Sequence, residues 1–444
     1  MKNINAALSK HEKLILDAER YIWKNPETGY KEVKTSAYMA EKFTSLGYEL
    51  TMAEGITGFV TEMDTGKAGP TVLVLGELDS VICPTHPECD PETGAVHSCG
   101  HNAQCAALLG IAAALKEDGV CDGLSGKIRL CAVPAEELLE IEYRSELKAK
   151  GIIKYFGGKS EFLYRGLFDG VDIAFMVHTG SRFLIRAGSV GCVSKRIIYK
   201  GKAAHAGGEP EAGINALYAA SCGLNAVNAI RETFIDEEYI RVHPIMTSGG
   251  CMVNAIPDTA TLESYVRGKT YEAILRENKK VNRAFVGAAL SLGANVEIID
   301  TPGYAPLNND YNMMLLAKDA IELALPDTKY AFMENGFSKG STDMGDLSCI
   351  MPVIHPYAGG GVGTGHGNDY YIKDAERACV KSAKWQLEML TILLENGAHR
   401  AKEITNNYTP QFKSKEEFLA FQDSISRSGD MIEYLEDGTA RIKL

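Results

Sequence analysis

Three short runs of almost purely apolar residues constrain the fold of this chain more than any other feature. They cover residues 71–76 (TVLVLG), 128–133 (IRLCAV) and 171–177 (VDIAFMV). Strands buried on both faces of a parallel or mixed sheet carry continuous apolar runs of this length, so we expect three central strands. An Ala- and Leu-rich segment, residues 103–116, lies between the first two runs and predicts a helix. This alternation predicts an α/β fold of three layers around a mixed sheet.

The pattern changes near residue 188, which indicates a second, smaller domain. Residues 190–199 and 259–267 alternate between apolar and polar positions, as half-buried antiparallel strands do. Helical segments at 215–230 and 271–292, and a last strand at 294–299, complete the pattern. We interpret it as a strand–helix–strand–strand–helix–strand order, which predicts a ferredoxin-like α+β domain with its helices on one face.

The simplest domain organisation is an α/β domain interrupted by an insertion. We assign residues 1–187 and 303–444 to the α/β domain, and residues 188–302 to the inserted ferredoxin-like domain. A chain of 444 residues has room for two or three domains. Its composition, 45% hydrophobic and 23% charged, is ordinary for a globular protein and argues against disorder.

Charge and cysteine content exclude several kinds of partner and location. The 46 Lys and Arg against 58 Asp and Glu leave a formal net charge of −12, and no basic cluster is present to bind nucleic acid or an anionic membrane. The longest apolar run, residues 105–115, is shorter than the roughly 20 residues that cross a bilayer. The eleven cysteines are odd in number and scattered, unlike those of a secreted disulfide scaffold. We therefore expect a soluble protein of the cytoplasm.

Two short motifs carry ligand chemistry. Cys99 and His101 lie just before the predicted helix, and a thiolate and a neutral imidazole are good zinc ligands. A buried free thiol in an ordinary polar loop explains the same pair. Glu136 and Glu137 follow the run 128–133, at a strand end where open α/β sheets place their ligands. Neighbours on an extended backbone point oppositely, which suits one as a metal ligand and the other as a general base; a solvated helix N-terminus is the plain alternative.

Two histidines occupy comparable positions. His178 lies at the end of the third apolar run, and His366 follows a glycine-rich turn at residues 359–365 that allows close backbone approach. An ordinary surface histidine is the alternative for His178. The turn lacks the glycine spacing of a dinucleotide motif, and Ile153 stands where a P-loop ending at residue 160 requires glycine. Nucleotide binding therefore has little support.

In combination, these motifs resemble the aminoacylase/carboxypeptidase family of di-metal metallopeptidases. The match is to its amidohydrolase branch, which includes hippurate hydrolases, auxin-conjugate amidohydrolases and p-aminobenzoyl-glutamate hydrolase. It runs in order over nearly the whole chain. The matching segments are residues 25–32 (NPETGYKE), 76–79 (GELD), 97–102 (HSCGHN), 134–137 (PAEE), 201–206 (GKAAHA), 254–258 (NAIPD) and 341–343 (STD), together with His178 and His366.

The resemblance implies a site for two divalent metal ions, zinc first, with manganese or cobalt as alternatives. The implied metal ligands are Cys99, His101, Glu137, His178 and His366. Glu136 would be the general base that takes a proton from the attacking water and returns it to the leaving amine. From the inserted domain, His205 would hydrogen-bond the developing oxyanion, and Asn254 and Arg267 would hold the substrate. A surface ion pair on an edge strand is the alternative for Arg267.

Three features depart from the family pattern. Asn102 stands where many relatives have Asp, which removes a charge beside the ligands. Residues 140–170 lengthen the chain between Glu137 and His178, and we expect them to shape the acyl pocket. Cys83 and Cys89 flank His86 before the ligands; an ordinary loop is the favoured interpretation there, with an additional metal site as the alternative.

Together these features predict a metal-dependent amidohydrolase that cleaves N-acyl or N-aroyl amino acids, or similar small conjugates, to a carboxylic acid and an amino acid. The alternatives are a dipeptidase or carboxypeptidase, a non-catalytic relative that binds small acids, and an enzyme with Cys99 as nucleophile. By family analogy the inserted domain would act as a lid and as the interface of a homodimer or larger homo-oligomer. We expect a small-molecule substrate, and neither nucleic acid nor membrane as a partner.

Overall fold

The structure, a computed structural model, describes residues 4–444, which divide into two compact units. The first unit consists of residues 4–188, 307–337 and 342–415. The second unit consists of residues 189–306, 338–341 and 416–444.

The elements are numbered in chain order. The helices are α1 (Ile4–Trp23), α2 (Val33–Ser45), α3 (His101–Leu115), α4 (Ile141–Ala149), α5 (Gly158–Tyr164), α6 (Ala216–Ile230), α7 (Tyr271–Ser291), α8 (Tyr311–Ala324), α9 (Met344–Ser348), α10 (Lys381–Asn407) and α11 (Lys415–Ile425). The strands are β1 (Thr51–Met52), β2 (Phe59–Asp64), β3 (Thr71–Glu77), β4 (Val81–Ile82), β5 (Ala95–Val96), β6 (Lys127–Val133), β7 (Ile173–Phe175), β8 (His178–Gly180), β9 (Phe183–Ser189), β10 (Gly191–Lys200), β11 (Ala204–His205), β12 (Arg241–Val242), β13 (Ile245–Ser248), β14 (Ala255–Ile256), β15 (Thr259–Gly268), β16 (Asn295–Tyr304), β17 (Leu307–Asn308), β18 (Tyr330–Ser338), β19 (Val353–Ile354), β20 (Tyr357–Gly359), β21 (Gly361–Val362), β22 (Tyr371–Ile372), β23 (Arg427–Asp430), β24 (Ile432–Tyr434) and β25 (Ala440–Ile442).

The first unit is built around a six-stranded mixed sheet in the order β1-β2-β6-β3-β7-β19. Strands β6, β3, β7 and β19 run parallel to one another, whereas β2 and β1 continue the sheet in antiparallel pairs. Every residue of β3 is buried, as expected for a strand covered on both faces. The three predicted central strands are confirmed as β3, β6 and β7, and so is the mixed α/β fold.

Helix α3 is the most buried helix of this unit. All of its residues are buried, and it contacts both α1 and β3. A helix without a polar face must be enclosed on all sides, which agrees with its Ala- and Leu-rich sequence. Gly110 allows the close approach of α1, because a Cβ there would lie 2.6 Å from Cδ1 of Ile15.

A second sheet of the first unit was not predicted. It has the order β17-β9-β20-β8, with β18 also paired to β9. Its strands β8, β17 and β20 have only two or three residues each, too few for a recognisable period in the sequence. The parallel pairing of β20 with β8 places Tyr357 opposite His178.

The second unit is an antiparallel sheet in the order β12-β15-β10-β16-β23, with β13 also paired to β15. Helices α6 and α7 contact each other and both pack on β10 and β15, so they share one face of this sheet. Each helix begins at a side-chain cap. Oδ1 of Asn215 accepts the Tyr218 N–H at 3.0 Å, and Oγ1 of Thr270 accepts the Ala273 N–H at 3.2 Å.

The C-terminal residues differ from the predicted domain boundary, which placed them in the α/β domain. Residues 416–444 belong to the second unit, where β23 pairs antiparallel with β16. The sequence of β23, Arg-Ser-Gly-Asp, has no apolar alternation. Periodicity could not identify it as a strand of this sheet.

Across residues 4–444, no helix combines the length and the apolar character that crossing a membrane requires. All eleven cysteines carry free thiols.

Candidate metal centre

The ends of parallel strands bring the candidate residues to one edge of the central sheet. Glu77 is the last residue of β3, Glu136 and Glu137 follow β6, and His178 follows β7. Neighbouring parallel strands have their carboxyl ends at the same edge, so residues far apart in sequence meet there.

Cys99, in the loop before α3, and His101, the first residue of α3, reach the same edge. Gly100 between them has φ = +87°, a left-handed conformation that glycine adopts without steric cost. A Cβ at residue 100 would also lie 2.5 Å from Oη of Tyr370. Glycine is therefore required both by the turn and by the close contact that place the flanking Cys and His.

Five side chains form two overlapping groups of donor atoms. Cys99, His101 and His178 make up the first group, and Cys99, Glu137 and His366 make up the second; within each group the donor atoms lie within 4.8 Å of one another. Sγ of Cys99 lies 3.4 Å from Nε2 of His178, and Nε2 of His366 lies 3.1 Å from Oε1 of Glu137. The structure thus brings together all five residues named as ligands, with Cys99 common to both groups.

Backbone carbonyls determine the proton positions of two of these histidines. Nδ1 of His101 lies 2.9 Å from the carbonyl oxygen of Asp79, and Nδ1 of His178 lies 2.8 Å from that of Thr179. A carbonyl oxygen can only accept, so each Nδ1 donates and each neutral ring keeps a lone pair on Nε2. Metal-binding histidines are oriented in this way.

Electrostatics favours the anionic forms of two donors. Burial and the Glu137 carboxylate oppose ionisation of Cys99, but His101 and His178 in their protonated forms outweigh them and lower the pKa of the thiol to about 6. Although burial opposes it, the thiolate in turn raises the pKa values of both histidines, so these rings carry protons until a cation replaces them. Burial also opposes ionisation of Glu137, but His366 lowers the pKa of that carboxyl to about 2. Thiolate and carboxylate are the forms that bind cations.

Glu136 differs from its neighbour. It belongs to neither Cys99 group, although one of its oxygens lies within 4.8 Å of donor atoms of Glu77 and His101. Burial, followed by the charges of Glu77 and Glu137, raises the pKa of Glu136 well above its ordinary value. Adjacent carboxyls whose pKa values are shifted in opposite directions suit different tasks, one as a ligand and one as a proton carrier.

Glu77 lies at this edge with both carboxylate oxygens engaged by other side chains. Oε1 accepts from Nζ of Lys159 at 2.6 Å, and Oε2 accepts from Nε2 of Gln104 at 2.9 Å. Lys159 also donates to Asp343, and the side chains of Glu77, Lys159 and Asp343 have no exposed area. Because both oxygens of Glu77 are already hydrogen-bonded, the two Cys99 groups are better suited to bind a cation than the group that contains Glu77.

The donor set fits divalent cations. Nε2 of His101 is buried and lies 3.2 Å from Oε2 of Glu77, but it makes no hydrogen bond of normal geometry within the part of the chain that the structure describes. A buried polar atom without a partner is costly, and a bound cation would satisfy it. Thiolate, imidazole and carboxylate together are typical of zinc sites, and carboxylates also accept manganese and cobalt.

Among the described residues 4–444, no group of donor atoms includes the side chains of the loop at residues 83–89. His86 uses both ring nitrogens, because Nε2 bonds to the carbonyl oxygen of Tyr370 at 3.0 Å and Nδ1 accepts the N–H of Glu88 at 3.1 Å. Cys83 and Cys89 belong to none of the donor groups. This favours the interpretation of residues 83–89 as an ordinary loop.

Asn102 pairs with a buried carboxylate. Its Nδ2 donates to Oε1 of Glu19 on α1 at 2.8 Å, and both side chains are buried. An aspartate at residue 102 would place a second carboxylate against Glu19. The packing of α1 on α3 therefore accounts for asparagine at this position.

We expect Asn102→Asp to lower the free energy of unfolding by about 1–3 kcal/mol near pH 7, because a like charge replaces a buried hydrogen-bond donor. Adding Glu19→Gln supplies a new donor and should recover most of the loss. Urea denaturation of the metal-free single and double variants measures this coupling. Equal stability of Asn102→Asp and the unaltered chain would contradict this account of residue 102.

Three predicted site residues lie in the second unit. His205 is exposed, and its Nδ1 accepts the N–H groups of Gly207 at 3.2 Å and Gly208 at 2.8 Å, which leaves the proton of the neutral ring on Nε2. Asn254 is next to it, because its carbonyl oxygen accepts the Ala206 N–H at 3.0 Å.

Arg267 lies apart from this pair. It is at the far end of β15 from Thr259, and eight residues of strand span about 26 Å. Its guanidinium lies 5.2 Å from the ring centroid of Tyr265. Within the second unit, His205 and Asn254 are therefore brought together and Arg267 is not.

Sequence reasoning missed several residues at the sheet edge, among them Lys159, Arg144 and Tyr357. The ring centroids of Tyr357 and His178 lie 5.0 Å apart. Tyr357 lines a cavity of about 460 Å³ together with Cys99 and His366. Only the three-dimensional pairing of β20 with β8 identifies this tyrosine, since no motif surrounds it.

Comparisons with known proteins agree with this geometry. The model of the family described as Peptidase family M20/M25/M40 matches residues 71–391. The Xaa-Arg dipeptidase of Homo sapiens is 30% identical over 355 residues, which cover 76% of this chain and 74% of that protein. The indole-3-acetyl-aspartic acid hydrolase of Enterobacter agglomerans is 27% identical over 331 residues, which cover 61% of this chain and 70% of that protein.

Solved structures show the same fold. A dinuclear metal-binding peptidase of the M20 family from Bacillus subtilis superposes with a TM-score of 0.64 at 20% identity, covering 87% of this chain and 99% of that one. The family model spans well over half of the chain and includes every candidate residue described above. The chain therefore belongs to peptidase family M20/M25/M40, whose members hydrolyse amide and peptide bonds.

Proposed function

We propose that this chain is a metal-dependent amidohydrolase that cleaves the amide bond of N-acyl or N-aroyl amino acids, or of similar small conjugates. The observation that carries the proposal is the position of Glu136, a buried carboxyl adjacent to both Cys99 donor groups yet part of neither. The relative from Enterobacter, named as a hydrolase of an acyl-aspartate conjugate, supports this class of substrate.

Each donor group would hold one cation. Cys99, His101 and His178 would bind the first ion, and Cys99, Glu137 and His366 the second. When bound, two divalent ions make water acidic enough to supply hydroxide near neutral pH and polarise the scissile carbonyl. We propose zinc, because a thiolate and imidazoles dominate the donor set, with manganese and cobalt as alternatives.

Glu136 carries the proton in this reaction. Its carboxylate takes a proton from the attacking water as the new C–O bond forms at the acyl carbon. It then gives that proton to the amide nitrogen as the C–N bond breaks, which releases a carboxylic acid and an amine. The burial of Glu136 excludes bulk water from this transfer.

The second unit would complete the site as a mobile lid and would also form the contact between subunits of a homodimer. In this proposal His205 donates its Nε2–H to the oxyanion, and Asn254 beside it holds the substrate. Arg267 as a carboxylate-binding residue stays a prediction, since it lies apart from His205 and Asn254.

A second candidate is a dipeptidase. The human relative, 30% identical over most of this chain, is named an Xaa-Arg dipeptidase. Both reactions use the same proton transfers and differ only in the acyl group of the substrate.

The test combines metal removal with a substrate panel. Chelation of the purified protein should abolish hydrolysis of N-benzoyl and N-acetyl amino acids, and zinc, manganese or cobalt added singly should restore it. We expect kcat/KM for acylated amino acids to exceed that for dipeptides, as measured by release of the free amino acid.

The other outcomes identify the alternatives. Faster cleavage of dipeptides would support the dipeptidase. Tight binding of small acids without turnover of any substrate would indicate a non-catalytic relative. Loss of activity on thiol alkylation but not on chelation would indicate a Cys99 nucleophile.

A further inference from the structure

Residues 140–170, which lengthen the chain between Glu137 and His178, contain a buried arginine. Arg144 lies on the nine-residue helix α4 and is only 1% exposed. A guanidinium withdrawn from water requires acceptors for its N–H groups. The acceptors that it contacts therefore indicate its role.

Arg144 donates to three backbone carbonyl oxygens. Nη1 donates to Phe156 at 2.7 Å and to Ala135 at 3.3 Å, and Nη2 donates to Glu137. Two of these carbonyls belong to the residues on either side of Glu136. One planar guanidinium thus spans the turn that carries both carboxyl groups.

The turn is held from its other side as well. The Ala135 N–H donates to Oε1 of Glu32 at 2.8 Å, and the Glu137 N–H donates to Oδ2 of Asp79 at 2.7 Å. Gly29 leaves room for the arginine, because a Cβ there would lie 2.4 Å from Nη2 of Arg144. The N–H and C=O groups of Ala135 and Glu137 are therefore all bound by side chains, and the two carbonyl oxygens also accept backbone N–H groups, from Gly158 at 3.3 Å and from Leu139 at 2.8 Å.

The conformation of the turn explains why such support is needed. Ala135 has φ = +57°, in the left-handed region, where a residue with a Cβ is strained. A strained backbone persists only where its surroundings hold it. In a relaxed turn, the side chains of Glu136 and Glu137 would leave the backbone in other directions.

We propose that Arg144 is a positioning residue, which fixes the directions of Glu136 and Glu137 by holding the carbonyl oxygens of Ala135 and Glu137. Its effect on turnover rests on the proposed amidohydrolase function. Its effect on metal binding is independent of that function, because Glu137 is itself a member of a donor group. Glu137 belongs to only one of the two Cys99 groups, so the effect should be confined to that group. Residues 140–170 thereby support the carboxylate pair through α4.

The test is a two-site titration of the 444-residue chain with zinc. Arg144→Lys keeps the charge but loses the planar fork. We expect the site that contains Glu137 to weaken by about 10–100-fold, as on loss of a residue that orients a ligand, while the site of Cys99, His101 and His178 stays within about threefold. With an acylated amino acid as substrate, kcat should fall by about 10–100-fold and KM should stay within about threefold.

Arg165→Lys is the matched control. Arg165 belongs to the same segment and also donates to two backbone carbonyls, those of Glu54 and Ile152, but it does not contact the turn. Its substitution should change neither metal affinity nor kcat. A purely structural role for Arg144 would instead weaken both metal sites together in proportion to lost stability.

Failure of the proposed function and failure of the positioning role would give different results. If the unaltered chain hydrolyses no amide, the proposed function fails, and the zinc titration still decides the role of Arg144. Unchanged affinity of the Glu137 site in Arg144→Lys would overturn the positioning role. If that variant does not fold, Gly29→Ala replaces it in the titration, because a Cβ at residue 29 would lie 2.4 Å from Nη2 of Arg144 and displace the guanidinium; unchanged affinity of the Glu137 site there would overturn the role too.

Discussion

Replacing Glu136 with glutamine should lower kcat by about 10²–10⁴-fold while the metal content of the protein stays the same. Glutamine keeps the shape of the side chain but cannot accept a proton from water. Because Glu136 belongs to neither Cys99 donor group, both groups remain complete in the variant. Activity assays with an acylated amino acid and elemental analysis of the same sample measure the two quantities.

The neighbouring residue provides the contrast. Glu137→Gln removes a donor from the group of Cys99, Glu137 and His366, so this variant should lose bound metal together with activity. Glu92→Gln, at an exposed glutamate of the loop before the ligands, is the control for the chemical change alone and should alter neither. A Glu136→Gln variant with a nearly unchanged kcat would remove Glu136 from its proposed role.

The residues of the two Cys99 donor groups could be predicted because their chemistry is visible in residue type and order. Cys99 and His101 are only two residues apart, just before a predicted helix, and Glu137 and His178 follow apolar runs that predict buried strands. Parallel strands then bring such positions together without any detail of side-chain packing. His366 followed from the family resemblance and a glycine-rich turn.

Residues that act through burial could not be predicted in this way. Helix α4 has the sequence IEYRSELKA, typical of an exposed helix, and nothing local distinguishes Arg144 from a surface arginine. Its guanidinium lies beside Gly29 and donates to the carbonyl oxygen of Ala135, and neither residue belongs to α4. Similarly, Asn102 could be noticed as a departure from relatives, but its partner Glu19 is 83 residues away.

Lys159 is the clearest example of a buried residue that the sequence did not predict. Its replacement has the largest expected effect on the free energy of unfolding. Nζ of Lys159 is the shared partner of Glu77 and Asp343, and none of the three side chains is exposed. Burial disfavours the charged ammonium, but the two carboxylates raise the pKa of Lys159 above its ordinary value, so it stays a cation. Lys159→Met would leave two buried carboxylates without this cation.

We therefore expect Lys159→Met to lower the free energy of unfolding by about 3–5 kcal/mol, the typical cost of removing one partner from a buried ion pair. Urea denaturation of the metal-free protein measures this loss. Lys127→Met is the matched control, because Lys127 pairs with Glu62 at 2.7 Å in the same unit but on the surface. Exposed pairs contribute little, so this variant should be close to the unaltered chain in stability.

A triple variant separates the loss of charge balance from the loss of packing. Adding Glu77→Gln and Asp343→Asn to Lys159→Met removes the buried negative charges, and neutral replacements of buried ion clusters are often tolerated. The triple variant should recover most of the lost stability even if Lys159→Met alone yields no folded protein. Recovery would show that the destabilisation comes from uncompensated charge. Lack of recovery would show that the aliphatic stem of Lys159 and the hydrogen-bond geometry of its ammonium are what the interior requires.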